Sequence, residues 1–259
     1  MQQETLFDSH AHLCHPKIWD HLDAIVQRAD QSGVKGILCA GYDLPSSERS
    51  LQAASRRSGV WAAVGFSPHD VSDLSESDWV TLESLLQQPK VVAVGETGLD
   101  YHYMRSPAKR QQDALRRHIR LAHKHGKPII LHLRESEDDL FSILDEEGIP
   151  EAGGVLHCFT GTPETAELAV EKGLMVSFSG ILTFSKSDEI VEALKRVPME
   201  RLLIETDCPY LAPVPYRGKN CEPSMLPAVA EKVSEILGVP LVEVAERVCL
   251  NARRFLSIT

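Results

Sequence analysis

The sequence lacks the marks of secreted, zinc-ribbon and membrane proteins. Its six cysteines are scattered and none belongs to a Cys-x-x-Cys pair, so neither a zinc ribbon nor a disulfide framework is indicated. No apolar run approaches the roughly 20 residues that cross a bilayer. The N-terminus also has no basic segment followed by an apolar one, as a signal peptide would. We therefore expect a cytoplasmic protein with reduced thiols and no membrane contact.

An excess of basic residues is also missing. The net charge is −10, unlike that of proteins that coat nucleic acid through its phosphates. Any contact with a phosphate polymer must therefore be local. The chain has no internal repeat, low-complexity tract or Gly/Ser linker, so we predict a single domain over residues 1–259. We expect a monomer without a stable protein partner.

Short apolar runs alternate with longer, charged stretches along the chain. Eight strand candidates, each followed by a helix candidate, are typical of an α/β fold of the (β/α)8 TIM-barrel type. Helical spacing over 223–237 and 241–256 predicts two extra C-terminal helices on the outside of the barrel. The predicted strands are 6–12, 34–40, 60–66, 91–95, 128–133, 154–159, 174–179 and 202–206. The predicted helices between them are 18–32, 46–58, 75–88, 107–126, 137–147, 163–172 and 186–196.

Two Ser/Thr-Pro pairs predict helix N-termini. In Ser106-Pro107 and Thr162-Pro163 a hydroxyl suited to an N-cap precedes a proline suited to the first helical position. Both pairs therefore place a helix start directly after a loop.

Metal-binding side chains occur where the predicted strands end. His10 and His12 are two positions apart, and residues i and i+2 of a strand point to the same side. In a (β/α)8 barrel the carboxyl ends of the strands open onto one cleft, where such groups can act together. The candidate metal ligands are His10, His12, Glu96, His132, His157 and Asp207.

Four imidazoles and two carboxylates exceed the needs of one ion with an open position. Two divalent ions sharing Glu96 as a bridge would use all six. Such a pair activates a water and stabilises both oxygens of an in-line displacement, which favours hydrolysis of a phosphate ester. Nitrogen-rich ligands favour zinc or manganese over magnesium. The structural alternative is that the histidines are core residues and the carboxylates cap helices or lie in loops.

Five segments resemble, in order, the signature motifs of the TatD-type deoxyribonucleases, which are metal-dependent hydrolases of the amidohydrolase-like superfamily. The resemblance extends from Phe7 to the final helix and implies the same barrel fold. The segments are Asp8-Ser9-His10-Ala11-His12-Leu13, Gly95-Glu96-Thr97-Gly98-Leu99-Asp100-Tyr101, His157-Cys158-Phe159-Thr160-Gly161, Glu205-Thr206-Asp207-Cys208-Pro209-Tyr210-Leu211 and Arg217-Gly218-Lys219-Asn220-Cys221-Glu222-Pro223.

The resemblance implies roles for these residues. His10, His12 and Asp207 would hold one ion, and His132 and His157 the other. Glu96 would bridge them, where other amidohydrolases often use a carbamylated lysine. Glu205 precedes Asp207 by two residues on the same strand and is expected to support the ligands through hydrogen bonds. Asp207 is our candidate for accepting the proton of the water.

The implied substrate is DNA, cut at accessible single-stranded ends with 3′→5′ polarity, often with magnesium. Arg217 and Glu222 match the family motif and are implied to bind the substrate or support the metal ligands, whereas Cys221 stands where asparagine is usual. His102, on the loop after the fourth strand, is a candidate phosphate ligand.

The third strand departs from the family pattern. The family usually has Gly-x-His-Pro-His there, and this chain has Gly65-Phe66-Ser67-Pro68-His69. A hydroxyl thus replaces one imidazole near the substrate, while His69 remains able to contact a phosphate.

Two other functions are compatible with the same residues. A hydroxide held by two metals also attacks carbonyl groups, so an amidase, a lactonase or an aminoacyl-ester deacylase is one alternative. A metal-loaded barrel that only binds a partner is the other.

Overall fold

The structure, a computed structural model, describes residues 5–258; the first four residues and Thr259 of the predicted domain lie outside them. Its eight parallel strands follow one another in chain order around the sheet, which confirms the predicted (β/α)8 barrel. The strands are β1 Leu6–Ala11, β2 Val34–Ala40, β3 Val60–Val64, β4 Val91–Asp100, β5 Ile129–Arg134, β6 Gly154–Leu156, β7 Met175–Phe178 and β8 Leu202–Ile204. The helices are α1 Pro16–Trp19, α2 Leu22–Gln31, α3 Leu44–Arg56, α4 Glu76–Leu86, α5 Ala108–His125, α6 Glu137–Glu147, α7 Pro163–Glu171, α8 Asp188–Arg196, α9 Leu226–Leu237 and α10 Leu241–Phe255.

Hydrogen bonds between β1 and the segment after β8 close the barrel. The His12 N–H donates to the Cys208 carbonyl at 2.8 Å, and the Asp207 N–H donates to the His10 carbonyl at 3.0 Å. The buried Asp8 carboxylate accepts hydrogen bonds from the Thr206 N–H at 2.9 Å and its hydroxyl at 2.6 Å. These contacts bring two segments of opposite chain ends together at the candidate ligands.

The barrel interior is filled by a layer of apolar side chains to which all eight strands contribute. Helix α10 covers this layer from the amino ends of the strands, with Cys249, Ala252 and Leu256 packed against it. The predicted C-terminal helices are thereby confirmed, and α10 closes the bottom of the barrel. The layer consists of Phe7, Leu38, Ala40, Ala63, Ala93, Ile130, Val155, Met175 and Leu203.

Polar residues lie directly above this layer because a strand presents every second side chain to the same side. His132 follows Ile130 by two residues, His157 follows Val155, and Glu205 follows Leu203. In the first and fourth strands the pairing shifts, between Asp8 and Ala11 and between Val94 and Thr97. The site therefore rests on an apolar base at the carboxyl ends of the strands.

Strand β4 is longer than predicted, because it continues through Gly95 and Gly98 to Asp100. Gly98 has φ of 143°, and a Cβ there would lie 2.0 Å from the His132 carbonyl oxygen. Glycine thus allows close approach to β5 rather than ending the strand. Strands β6 and β8 are shorter than predicted, and His157 and Asp207 lie just beyond them.

Most predicted helices differ from the structure by a few residues at their ends, and two differences are larger. Predicted helix 18–32 is divided into α1 and α2, because His21 has non-helical backbone angles. Thr162 is the N-cap of α7, as predicted, and accepts a hydrogen bond from the Thr165 N–H. Ser106 is not the N-cap of α5; its hydroxyl donates to the His69 carbonyl at 3.0 Å instead. That hydroxyl fixes the loop after β3.

Among residues 5–258, no helix has both the length and the apolar character needed to traverse a bilayer.

Candidate metal centre

The candidate ligands meet in a cleft of about 450 Å³ at the carboxyl ends of the strands. His12, Glu96, His132, His157 and Asp207 line it, and His10 lies fully buried beside them. Two other cavities of about 510 and 570 Å³ are lined by no histidine. The side chains that line the cleft, rather than its volume, therefore identify it as the candidate site.

Glu96 lies between two pairs of imidazoles. Its Oε2 is 3.6 Å from His10 Nε2 and 3.5 Å from His12 Nε2. Its Oε1 is 3.2 Å from His132 Nδ1 and 3.3 Å from His157 Nε2. Each carboxylate oxygen therefore faces a different pair of nitrogens, which is the arrangement that a bridging ligand requires.

Asp207 completes the side of the cluster that contains the first-strand histidines. Its Oδ1 is 3.2 Å from His12 Nε2 and 3.9 Å from His10 Nε2. The ring of His10 stacks on that of His157, with centroids 4.0 Å apart, so the two halves of the cluster are in contact. Asp207 has φ of 53°, a left-handed conformation that turns the chain just after β8.

Three of the four imidazoles are oriented by a hydrogen-bond partner on their other nitrogen. His12 Nδ1 lies 2.9 Å from the Ala40 carbonyl. His132 Nε2 lies 3.0 Å from Asp100 Oδ2, and His157 Nδ1 lies 3.3 Å from Glu205 Oε1. Such partners keep the proton away from the nitrogen that faces the centre, which leaves its lone pair for a metal.

The electrostatics of the cluster keep its carboxylates ionised. Burial opposes ionisation of Glu96, but the surrounding imidazoles outweigh it and hold the pKa of Glu96 well below its ordinary value. Burial would lower the pKa of His12, whereas its contacts with Asp207 and Glu96 raise it to about 9. Metal binding at His12 would therefore compete with its protonation.

The residues fit divalent ions. His157 Nε2 is buried and has no hydrogen-bond partner in the described chain, although it lies 3.3 Å from Glu96 Oε1. A buried, unpaired nitrogen is costly unless a cation or donor satisfies it. Imidazole nitrogens combined with carboxylate oxygens suit zinc, manganese and related ions. The residues with potential ligand atoms within 4.8 Å of one another form the groups His10/His12/Glu96, His10/His157/Asp207, Glu96/His132/His157 and His69/Asp100/His132.

His69 lies at the edge of the centre. Its Nε2 is 3.6 Å from Asp100 Oδ2, and its ring is 5.7 Å from that of His132. Ser67, which replaces the usual histidine, donates a hydrogen bond to Asp70 Oδ2 at 2.7 Å. The hydroxyl is thus engaged within its own loop.

Three predicted substrate contacts lie away from the cleft lining. His102 is exposed, and its Nδ1 pairs with Glu135 at 2.7 Å. Arg217 donates to the Ala212 carbonyl at 3.0 Å, and its guanidinium lies over the Phe184 ring. Glu222 forms a two-pronged ion pair with Arg28. None of the three joins the cluster.

The sequence interpretation missed Asp100. This residue is fully buried and accepts hydrogen bonds from His132 and from the Tyr103 N–H. Burial would raise the pKa of Asp100, but these contacts lower it to about 2. A signal was present, since Glu96, Gly98 and Asp100 share one side of a strand if β4 continues through its glycines.

The barrel and its cluster of imidazoles and carboxylates define a metal-dependent hydrolase. The family model described as TatD related DNase matches residues 7–257. An uncharacterized metal-dependent hydrolase of Bacillus subtilis, YabD, is 39% identical over 253 residues, which cover 98% of this chain and 99% of YabD. A protein of Erwinia tasmaniensis named 3′-5′ ssDNA/RNA exonuclease TatD is 32% identical, and the match covers 98% of this chain and all of that protein.

The solved structure of YJJV, a TatD homologue from Escherichia coli, has a TM-score of 0.93 at 28% identity and covers 98% of each chain. The chain belongs to the TatD-related DNase family.

Proposed function

We propose that this hydrolase is a nuclease that removes nucleotides from single-stranded ends of DNA, using two divalent ions bridged by Glu96. The observation that carries the proposal is the division of the Glu96 carboxylate, with Oε2 toward His10 and His12 and Oε1 toward His132 and His157. The relative named as a 3′-5′ exonuclease supports the substrate class and the 3′→5′ polarity.

When bound, two such ions would lower the pKa of a water and neutralise the charge on the phosphodiester. His10, His12 and Asp207 would hold one ion, and His132 and His157 the other. Asp207 projects from the wall of the cleft, where its carboxylate can accept the proton of the attacking water. Glu205 and Asp100 hold the rings of His157 and His132 in place.

The first test is metal analysis of the purified protein, followed by nuclease assays with added zinc, manganese and magnesium. We expect about two equivalents of metal and release of mononucleotides from linear single-stranded DNA. Glu96→Gln and His132→Ala should lower activity about 10²-fold or more, whereas His123→Ala on α5 should not change it. Binding without turnover, unaffected by Glu96→Gln, would instead support a non-enzymatic role.

Two outcomes would contradict the proposal. One is equal cleavage of a closed single-stranded circle and a linear strand of the same sequence, which would exclude attack from an end. The other is turnover of ester or amide substrates with no release of mononucleotides, which would indicate carbonyl chemistry at the same centre.

A further inference from the structure

An aromatic ring and two guanidinium groups form part of the cleft beside the second histidine pair. Tyr103, Arg105 and Arg134 line the cleft. The guanidinium carbons of Arg105 and Arg134 lie 5.7 and 5.1 Å from the centroid of the Tyr103 ring. This group of three residues, the Tyr103 cluster, has been given no role in the metal centre described above.

The Tyr103 cluster is adjacent to the metal centre. Arg134 is the last residue of β5, two positions after His132, and it pairs in register with Asp100 of β4. The Tyr103 ring lies 6.0 Å from that of His69, which lies 5.7 Å from the ring of His132. One edge of the cluster therefore borders the ligands that surround Glu96.

Both guanidiniums of the cluster lack a carboxylate partner. Within residues 5–258 neither forms an ion pair, although the chain carries 37 acidic residues against 27 basic ones. Glu135, next in sequence to Arg134, pairs with His102 instead. Elsewhere Arg117 and Arg120 each donate two hydrogen bonds to a glutamate.

An aromatic ring holds an arginine without neutralising it. Cation–π contacts attract a guanidinium to the face of the ring, and they leave its N–H groups free to donate. Arginine binds phosphate oxygens through pairs of such donors. Two unneutralised guanidiniums at the edge of a metal centre thus provide an anion site in a protein of net charge −10.

We propose that Arg105 and Arg134, held against Tyr103, bind a backbone phosphate adjacent to the phosphodiester that is cut. The inference rests on the proposed nuclease function and adds a substrate requirement to it. The preferred substrate must carry a second phosphate next to the scissile one, so a polynucleotide is favoured over an isolated phosphodiester.

The test compares hydrolysis of thymidylate dimers and trimers, which carry one and two phosphodiesters. In the wild type we expect kcat/KM to rise about tenfold or more from dimer to trimer, mainly through KM. Arg134→Gln and Arg105→Gln should each reduce this gain. Tyr103→Ala should reduce it as well, and Tyr103→Phe, which keeps the ring, should restore it.

Salt dependence gives a second readout that a purely structural role would not change. Each lost phosphate contact should decrease the slope of log affinity against log salt by about 0.7 for single-stranded DNA. Arg56→Gln is the matched control, because Arg56 also lies over a ring, that of Trp19, but outside the cleft. Its dimer-to-trimer gain and its salt slope should equal those of the wild type.

The outcomes distinguish a failure of the proposed phosphate site from a failure of the proposed nuclease function. If the wild type hydrolyses both oligomers but the arginine variants keep the full gain and the full salt slope, the phosphate site is wrong and the nuclease function stands. If the wild type hydrolyses neither oligomer with any of the ions, both are overturned.

Discussion

The His132 ring shows how a single carboxylate can determine which nitrogen of a neighbouring histidine is free to bind a metal. His132 directs Nδ1 toward Glu96 and Nε2 toward Asp100, whereas the other three histidines direct Nε2 inward. An ionised Asp100 can only accept a hydrogen bond, so the proton of His132 must lie on Nε2. Nδ1 is then left with the lone pair that a metal requires.

Asp100→Asn should remove this control. The Asn carbonyl can still accept from the Tyr103 N–H, which leaves its NH₂ group facing His132 Nε2 and favours the proton on Nδ1. We expect metal affinity at this half of the centre to fall about 10–100-fold, measured by competition with a chelator. Nitrogen NMR shifts of His132 should report the changed tautomer.

Asp139→Asn is the control for this variant. Asp139 likewise accepts hydrogen bonds, from the Tyr101 hydroxyl and Gln112, but outside the cleft lining. Unchanged metal affinity in Asp100→Asn, or an equal loss in Asp139→Asn, would contradict the role given to Asp100.

Strand β4 is the element that sets the spacing of the centre. Its inward side presents Glu96 and Asp100, while Thr97 points outward and contacts His118 of α5 at 3.0 Å. Gly98 lies between the two carboxylates, where no side chain fits against β5. Gly98 therefore lets β4 approach the His132 backbone, while Glu96 and Asp100 contact the His132 ring.

Gly98→Ala should destabilise the protein and disturb the centre together. The added Cβ would meet the His132 carbonyl oxygen at 2.0 Å, so we expect a loss of about 3 kcal/mol or more. This corresponds to a fall in Tm of about 6–12 °C for a chain of this size, with weaker metal binding.

Gly126→Ala provides the comparison. Gly126 also has a positive φ, of 59°, but a Cβ there meets nothing within 4 Å. Only the left-handed strain of about 1 kcal/mol is expected, with metal binding intact. Equal losses of stability in the two variants would show that close packing against β5 is not the cause.

The sequence predicted the elements better than their ends. Alternating apolar runs placed all eight strands, because burial of parallel strands requires such runs. The fourth strand was predicted to end at Gly95, although Gly95 and Gly98 allow close packing against β5, and this concealed Asp100. Ser106 suggested a helix cap, although its hydroxyl binds the His69 carbonyl; neither contact is local in sequence, so no local pattern could reveal it.

For the molecule as a whole, one buried histidine outside the cleft couples stability to pH. His118 Nε2 accepts from the Phe66 N–H at 3.0 Å, and Nδ1 lies 2.8 Å from the Ala114 carbonyl. Protonation of Nε2 would place two donors face to face. Burial and the positive charge of Arg117 lower the pKa of His118 from 6.5 to about 4, although the hydrogen bond to the Ala114 carbonyl acts to raise it.

The sign of the pH effect follows from this lowered pKa. The folded state favours neutral His118, so its contribution to stability is complete above pH 6.5 and is lost as the pH falls toward 4. The loss amounts to about 3 kcal/mol over that interval. It should be measured as the fall in urea midpoint between pH 7 and 4.

The same measurement on His118→Gln isolates the effect. Gln keeps an acceptor for the Phe66 N–H but does not titrate, so its urea midpoint should fall less than that of the wild type over this interval. His123→Asn, at a histidine on the exposed side of the same helix, should follow the wild type. Parallel curves for wild type and His118→Gln would contradict the assignment.

The carboxylates of the centre lie in β4, and two residues of the Tyr103 cluster lie in the loop that follows it. This separation has a consequence for how such an enzyme can diversify. Glu96 and Asp100 lie within the strand, where inserting or deleting one residue would turn both carboxylates away from the centre. Tyr103 and Arg105 lie beyond the strand end, on a segment that holds none of the candidate metal ligands. New substrates could therefore be acquired through the loops of this barrel while the hydrolytic chemistry is inherited unchanged.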